Sequence, residues 1–219
     1  MLVLAIDTSS AAVIAAVVDV SADDVIVRAE RTTVSPRGHG ELLTPSISAC
    51  LAEVGQAPAA LSAVVAGVGP GPFTGLRVGL VTAAVLADAL SIPAYGVCSL
   101  DAIAPSARAG GELLVVTDAR RKEVYWARYD PARSRVDGPH VSRPDQVPTA
   151  GVRGMAGAGA RQYQADLGLP LLGGDYPGAA DLVALAAASI RAGAPSEALV
   201  PLYLRRPDAV PGPPKPVRR

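Results

Sequence analysis

An apolar run that ends in aspartate occurs twice in this chain, 111 residues apart, and that repetition constrains the fold more than any other feature. Leu2-Val3-Leu4 lies over Leu113-Leu114-Val115, and Asp7 lies over Asp118. At the same offset Val13 falls on Val124, Ala16 on Ala127, Asp19 on Asp130 and Val25 on Val136. Val and Ala are common here, so each match alone is cheap. A run of matches in register, each copy an apolar strand ending in Asp followed by a hairpin, points to a duplicated βββ unit.

The first copy reads as three strands of a meander, Leu2–Ile6, Ala11–Val20 and Val25–Arg31, separated by Ser and Asp turns. A helix follows, with Leu43, Ile47, Cys50, Leu51 and Val54 at helical spacing and Gly55 as its stop. Pro45 argues for a helix start later than His39. Ala63–Val68 is the next strand, Leu76–Leu90 a buried Ala- and Val-rich helix, and Ala94–Val97 a further strand. Ser99 is expected to open another helix that fades near Gly110. The second copy erodes after residue 145, where Gly and Pro become frequent, and a last helix runs through Leu182, Leu185, Ala186 and Ile190. The predicted organisation is α/β, with an N-terminal lobe over 1–100, a C-terminal lobe over 101–205 and a disordered, Pro-rich tail over 206–219.

Composition narrows the function classes. The 219 residues are half hydrophobic, enough for a packed core, and carry 20 basic against 20 acidic side chains. A protein that grips a nucleic-acid backbone by itself normally shows a basic excess, so direct tRNA or DNA contact is disfavoured. Cys50 and Cys98 are far apart and form no CxxC pair, which fits two small buried apolar residues. The N-terminus lacks a basic region, and Asp7 interrupts its apolar run, against a signal peptide. The apolar run Ala11–Val18 is far too short for a membrane span, no other stretch is expected to serve as one, and the expected compartment is the cytoplasm.

Two segments hold the candidate chemistry. In Asp7-Thr8-Ser9-Ser10 a carboxylate and hydroxyls sit in a tight turn that can face a nucleotide, although the same residues serve as caps for backbone donors. The repetition of the aspartate at Asp118 favours descent from a two-lobed nucleotide cleft. The vestigial, weak nucleotide site is then Asp7, Thr8, Ser9, Gly69, Gly71 and Asp118. The run Gly69-Pro-Gly-Pro-Phe-Thr-Gly75-Leu-Arg77-Val-Gly79 lacks the lysine of a Walker loop and the spacing of a dinucleotide fingerprint. It feeds a helix N-terminus that can hold an anion. Gly75, Gly79, Ala83 and Ala87 recur every four residues as a small-residue ridge that lets another helix approach closely. His39 and His140 are a hundred residues apart with no HxxxH or HExxH pair, so no metal site is expected, and His39 reads as a capping or solvated residue. There is no G-x-S-x-G elbow.

Ile6-Asp7-Thr8-Ser9, Gly69 to Arg77, Tyr95-Gly-Val-Cys-Ser-Leu-Asp101, Asp118-Ala-Arg-Arg-Lys-Glu-Val-Tyr125 and Pro201-Leu-Tyr-Leu-Arg205 together resemble the TsaB (YeaZ) family. The likeness covers residues 1 to 130 well and is weaker beyond. It implies a duplicated actin/Hsp70/sugar-kinase-like (RNase H-like) fold with two lobes. It also implies kinship with TsaD, which transfers a threonylcarbamoyl group to the adenosine beside the tRNA anticodon. TsaD-like proteins hold a metal with an HxxxH pair on the helix after a strand like Ala94–Val97. Ser99 and Ile103 match those positions and neither can replace the pair. The role the resemblance implies is a scaffold, without cofactor, that activates a TsaD-like transferase beside a TsaE-like P-loop ATPase and reaches tRNA only through that complex. Leu42, Leu43, Ile47, Gly75, Leu76, Gly79, Ala83 and Ala87 are the expected docking face, which would also pair with itself as a homodimer when the partner is missing. The competing readings are a small-molecule phosphotransferase built on Asp7 and Asp118 and a degenerate metallopeptidase. The second fails on its missing ligands.

Overall fold

In the computed structural model, which describes residues 1–108 and 110–205, each copy of the repeat forms its own mixed sheet. The first sheet has the order β3-β2-β1-β4-β5, from β1 (Leu2–Asp7), β2 (Ala12–Val20), β3 (Val25–Val34), β4 (Ala63–Gly67) and β5 (Ala94–Val97). The second has the order β8-β7-β6-β9, from β6 (Glu112–Asp118), β7 (Val124–Tyr129), β8 (Arg135–Ser142) and β9 (Val152–Ala156). In both, an antiparallel meander meets a fourth strand that pairs in parallel with the first. A single parallel bridge, Met155 to Leu171, stands where a fifth strand would be. This is the duplicated two-lobed actin-like fold.

The register refines the offset. Asp7 pairs with Ile14, whereas Asp118 pairs with Val124, so the second hairpin is one residue shorter. The 111-residue equivalence holds on the first strand of each copy and becomes 110 on the second. With Asp7 set on Asp118, the strand pairing puts the matches at Val13, Ala16 and Asp19 one residue out and that at Val25 two residues out.

The first sheet is covered on both sides. On one face pack α1 (His39–Glu53), through Leu43, Ile47, Cys50 and Leu51, and α2 (Phe73–Leu90), through Leu76, Leu80, Ala83 and Ala87. Pro45 is carried inside α1, which begins at His39 rather than later. On the other face lies α5 (Ala179–Arg191), with Leu182, Val183, Ala186 and Ile190. This helix follows the second sheet in sequence but completes the core of the first. By length and composition α2 could cross a bilayer, contrary to the expectation from the sequence. Its small and apolar stripe is instead buried against β1 and β4, the position of a core helix.

The second lobe is thinner. A single 3₁₀ turn at Pro144–Gln146 replaces α1, and the short α3 (Ala158–Gln162) and α4 (Gln164–Leu167) replace α2. The expected helix from Ser99 does not form: turns and a 3₁₀ segment at Ala104–Ser106, with Pro105 inside it, carry the chain between lobes. Leu100, Ile103 and Ala104 are buried against Leu113, Val115 and Tyr129. The tail assigned to 206–219 lies outside the described residues.

Candidate functional site: a sealed aspartate turn and two exposed surfaces

The turn after β1 is the most constrained point of the molecule. Asp7, Thr8 and Ser9 are all buried. The Oδ1 of Asp7 accepts the Ser9 amide at 2.9 Å and the Ser9 hydroxyl at 2.8 Å. Its Oδ2 accepts the Ser99 hydroxyl at 2.5 Å, and Ser99 Oγ in turn accepts the Gly69 amide at 3.2 Å. Burial raises the carboxyl pKa above the ordinary value, opposed by the bonds from Ser99 and Ser9. Ser99, at the end of β5, was not among the residues expected to bind; only its pairing with Asp7 across 92 positions reveals its part.

Thr8 explains the glycines. Its hydroxyl donates to the Gly75 carbonyl at 2.8 Å and accepts the Gly79 amide at 2.9 Å, threading between two backbone groups one turn apart on α2. A Cβ on Gly79 would lie 2.4 Å from Thr8 Oγ1, one on Gly71 2.0 Å from the Ser9 carbonyl oxygen, and one on Gly67 1.8 Å from Asp7 Oδ2. The small-residue ridge thus receives the β1–β2 turn of its own lobe. His39, expected as a cap or solvated, is buried at the first residue of α1, with Nε2 at 2.7 Å from the Ser10 carbonyl oxygen.

The predicted docking residues are corrected accordingly. Leu43, Ile47, Gly75, Leu76, Gly79, Ala83 and Ala87 are buried in this lobe, and of that set Leu42 alone is partly exposed. The same two helices present a different face to solvent. Thr44, Ser48, Val81, Thr82, Val85 and Leu86, with Ile47 of the predicted set at its floor, line an apolar groove of about 370 Å³, with Val81 59 % and Val85 60 % exposed. Sequence periodicity had marked the helices but not which stripe turned inward.

The second-lobe aspartate is arranged differently. Asp118 Oδ1 accepts the Arg120 amide at 3.0 Å, the counterpart of the Asp7–Ser9 bond, but its other oxygen lies 3.7 Å from the Arg120 guanidinium. Arg120, Arg121 and Lys122 have φ of 63°, 53° and 60°, three consecutive left-handed residues of types that seldom adopt that conformation. Arg120 lines an interlobe cavity of about 350 Å³ together with Ser10, Arg37, His39, Phe73 and Thr74. Beside it Phe73 stacks on Tyr203 at 5.3 Å, Arg77 lies 3.9 Å above the Phe73 ring, and the Arg77 Nε–H donates to the Tyr203 hydroxyl at 2.9 Å.

Both oxygens of Asp7 are engaged by donors of its own lobe, and Gly67 packs so close that a Cβ there would overlap the carboxylate. Ser99 is bound to Asp7 and Ile103 is core, so these two positions present no pair of metal-ligating side chains. Among the described residues no three His, Cys, Asp or Glu side chains gather as a metal-binding set.

Comparison with known proteins gives the family. Residues 29–166 match the family model TsaD: tRNA N6-adenosine threonylcarbamoyltransferase. An uncharacterized protein of Mycobacterium leprae is 50% identical over 96% of this chain, and the tRNA threonylcarbamoyladenosine biosynthesis protein TsaB of Bacillus subtilis is 35% identical over 59% of it. The matches span 56% and 55% of those two proteins, about half their length. The solved structure of YeaZ from Pseudomonas aeruginosa superposes with a TM-score of 0.76 at 28% identity, covering 93% of this chain and 99% of that one. With the two-lobed topology, the motifs and these likenesses in agreement, the chain belongs to the TsaB (YeaZ) family of tRNA threonylcarbamoyladenosine biosynthesis proteins.

Proposed function

We propose that this chain is a non-catalytic scaffold that binds and activates a TsaD-like threonylcarbamoyl transferase, using the outer groove between α1 and α2. The observation that carries the reading is the exposed apolar surface around Val81 and Val85 on a lobe whose inner stripe is already satisfied. An apolar centre rimmed by Thr44, Ser48 and Thr82 has the composition of a protein-binding patch. The sealed Asp7 turn supports the non-catalytic part, because it leaves phosphotransfer without a free carboxylate at the first-lobe turn. A TsaE-like P-loop ATPase is the third member of the complex, and the same groove closes on a second copy when the transferase is missing.

Val85→Glu tests this. The side chain faces solvent, so the variant should fold and melt like the parent, while co-purification with the TsaD-like partner falls at least about tenfold through a charge buried at the centre of the contact. Multi-angle light scattering should show loss of the homodimer in the same variant. Normal co-purification by a folded Val85→Glu protein would place docking elsewhere.

A further inference from the structure

The zero net charge of the chain hides a strong local segregation. Arg37, Arg77, Arg120 and Arg205 come together at one corner of the interlobe cleft, with Arg121 and Lys122 next in the same hairpin tip, and Asp118 and Glu123 are the carboxylates beside Arg120 and Arg205. Contacts establish the contiguity. Arg37 and Arg120 line one cavity with Phe73, and Arg77 covers the Phe73 ring. Tyr203 stacks on that ring, and Arg205 bonds the Ala119 carbonyl at 3.2 Å and Glu123 at 3.0 Å, joining the C-terminal segment to the hairpin of Arg120–Lys122. Three motifs far apart in sequence, around Phe73, Lys122 and Tyr203, thus meet in one place. At its centre Phe73, the chain's one phenylalanine, is 48 % exposed, and Tyr203 is 41 % exposed. A stacked aromatic pair left in water, with the Arg77 guanidinium over one ring and Arg37 and Arg120 lining the cavity beside it, is poor core and good binding surface.

We propose that this corner contacts RNA directly: phosphates of a single-stranded or loop segment are held by Arg120 and Lys122, and a base stacks at the Phe73–Tyr203 edge. Phosphate neutralisation by Lys and Arg combined with stacking on aromatic rings is the chemistry by which proteins hold unpaired RNA. The left-handed backbone of Arg120–Lys122 fixes the hairpin tip that presents these cations. The inference rests on the scaffold reading for the identity of the RNA, a tRNA, but it uses a surface separate from the α1–α2 groove. It replaces the expectation, drawn from net charge and from the family resemblance, that tRNA is reached only through partners.

The test is fluorescence anisotropy of labelled tRNA with the full chain, alone and in complex with its TsaD-like partner, across a salt series. Arg120→Glu combined with Lys122→Glu should weaken binding about tenfold or more and lower the slope of log K against log salt by between about 1 and 2. Tyr203→Ala should weaken binding about fivefold or more with the slope unchanged. That split is not produced by a general loss of structure. Unchanged affinity and slope in the charge variant would overturn the proposal, and so would loss of partner co-purification with RNA affinity intact. Val85→Glu separates the two readings: it should abolish docking while leaving the isolated chain's RNA affinity as it was.

Discussion

The two lobes begin alike and diverge one residue past the aspartate. At Asp7 and at Asp118 the carboxylate takes the amide two residues on, at 2.9 and 3.0 Å. In the first lobe the other oxygen meets a buried Ser99 hydroxyl, and the turn beyond is closed by glycines of β4 and α2. In the second, the other oxygen faces an arginine, and the turn opens into three basic residues. The coverage differs in parallel: the first sheet has long helices on both faces, one borrowed from the C-terminal half, while the second has short ones. A duplicated frame has thus been spent on a sealed lobe and an open one. The strand ending in aspartate does not decide which; the residues that reach it from elsewhere do.

The largest expected effect comes from breaking the seal. Gly79→Leu places a branched side chain where a Cβ already lies 2.4 Å from Thr8 Oγ1, against a strand-end turn that cannot retreat without losing the Asp7 bonds. Overpacking of this kind costs about 3 kcal/mol or more, so the variant should be largely unfolded or melt far below the parent by circular dichroism. A variant that folds with parental stability would show the ridge to be surface after all.

A smaller effect asks whether the borrowed helix matters to one lobe or both. Leu182 is fully buried against the first sheet, and Leu182→Ala should cost about 3 kcal/mol. Native-state hydrogen exchange in the variant should accelerate in β1, β2 and β4 before β6 and β7. Equal acceleration in both sheets would mean that the lobes unfold as one unit, and the contrast between them would lose its energetic meaning.

Much of this was legible beforehand because strands announce themselves locally. Leu2–Asp7 and Glu112–Asp118 are apolar runs with an abrupt polar stop, and their repetition predicts two sheets of one topology. What escaped depends on contacts distant in sequence. The one-residue shortening of the second hairpin leaves no mark in a sequence rich in Val and Ala, so the fixed offset ran on past its validity. The Gly75–Ala87 stripe identifies a close approach, but the partner is Thr8, some 70 positions away, and periodicity cannot tell an inner from an outer neighbour. Ser99 resembles a helix start until Asp7 claims its hydroxyl. The exposed corner at Phe73 depends on a C-terminal segment folding back across the molecule, through Leu202 on the Val68 carbonyl and Arg205 on Glu123, which no local pattern states.

The smallest effect tests the seal by its charge. Because burial raises the Asp7 pKa, the folded chain keeps a proton there over a range in which the unfolded chain has lost it. The unfolded state then binds fewer protons, and stability falls as pH rises from the ordinary carboxylate value through the raised one, levelling off above it. Asp7→Asn removes the ionisation. Its amide oxygen still accepts both Ser9 donors, while its NH₂ faces Ser99 Oγ, which can rotate to accept because a hydroxyl has two lone pairs and the Gly69 amide uses one. The exchange of one charged acceptor for a neutral donor should change stability at neutral pH by no more than about 1 to 2 kcal/mol. Relative to the variant, the parent should lose stability as pH increases across that window, read from urea midpoints of the two proteins at matched ionic strength. Parallel curves would show that Asp7 is as well solvated folded as unfolded, and the first-lobe turn would then be open like the second.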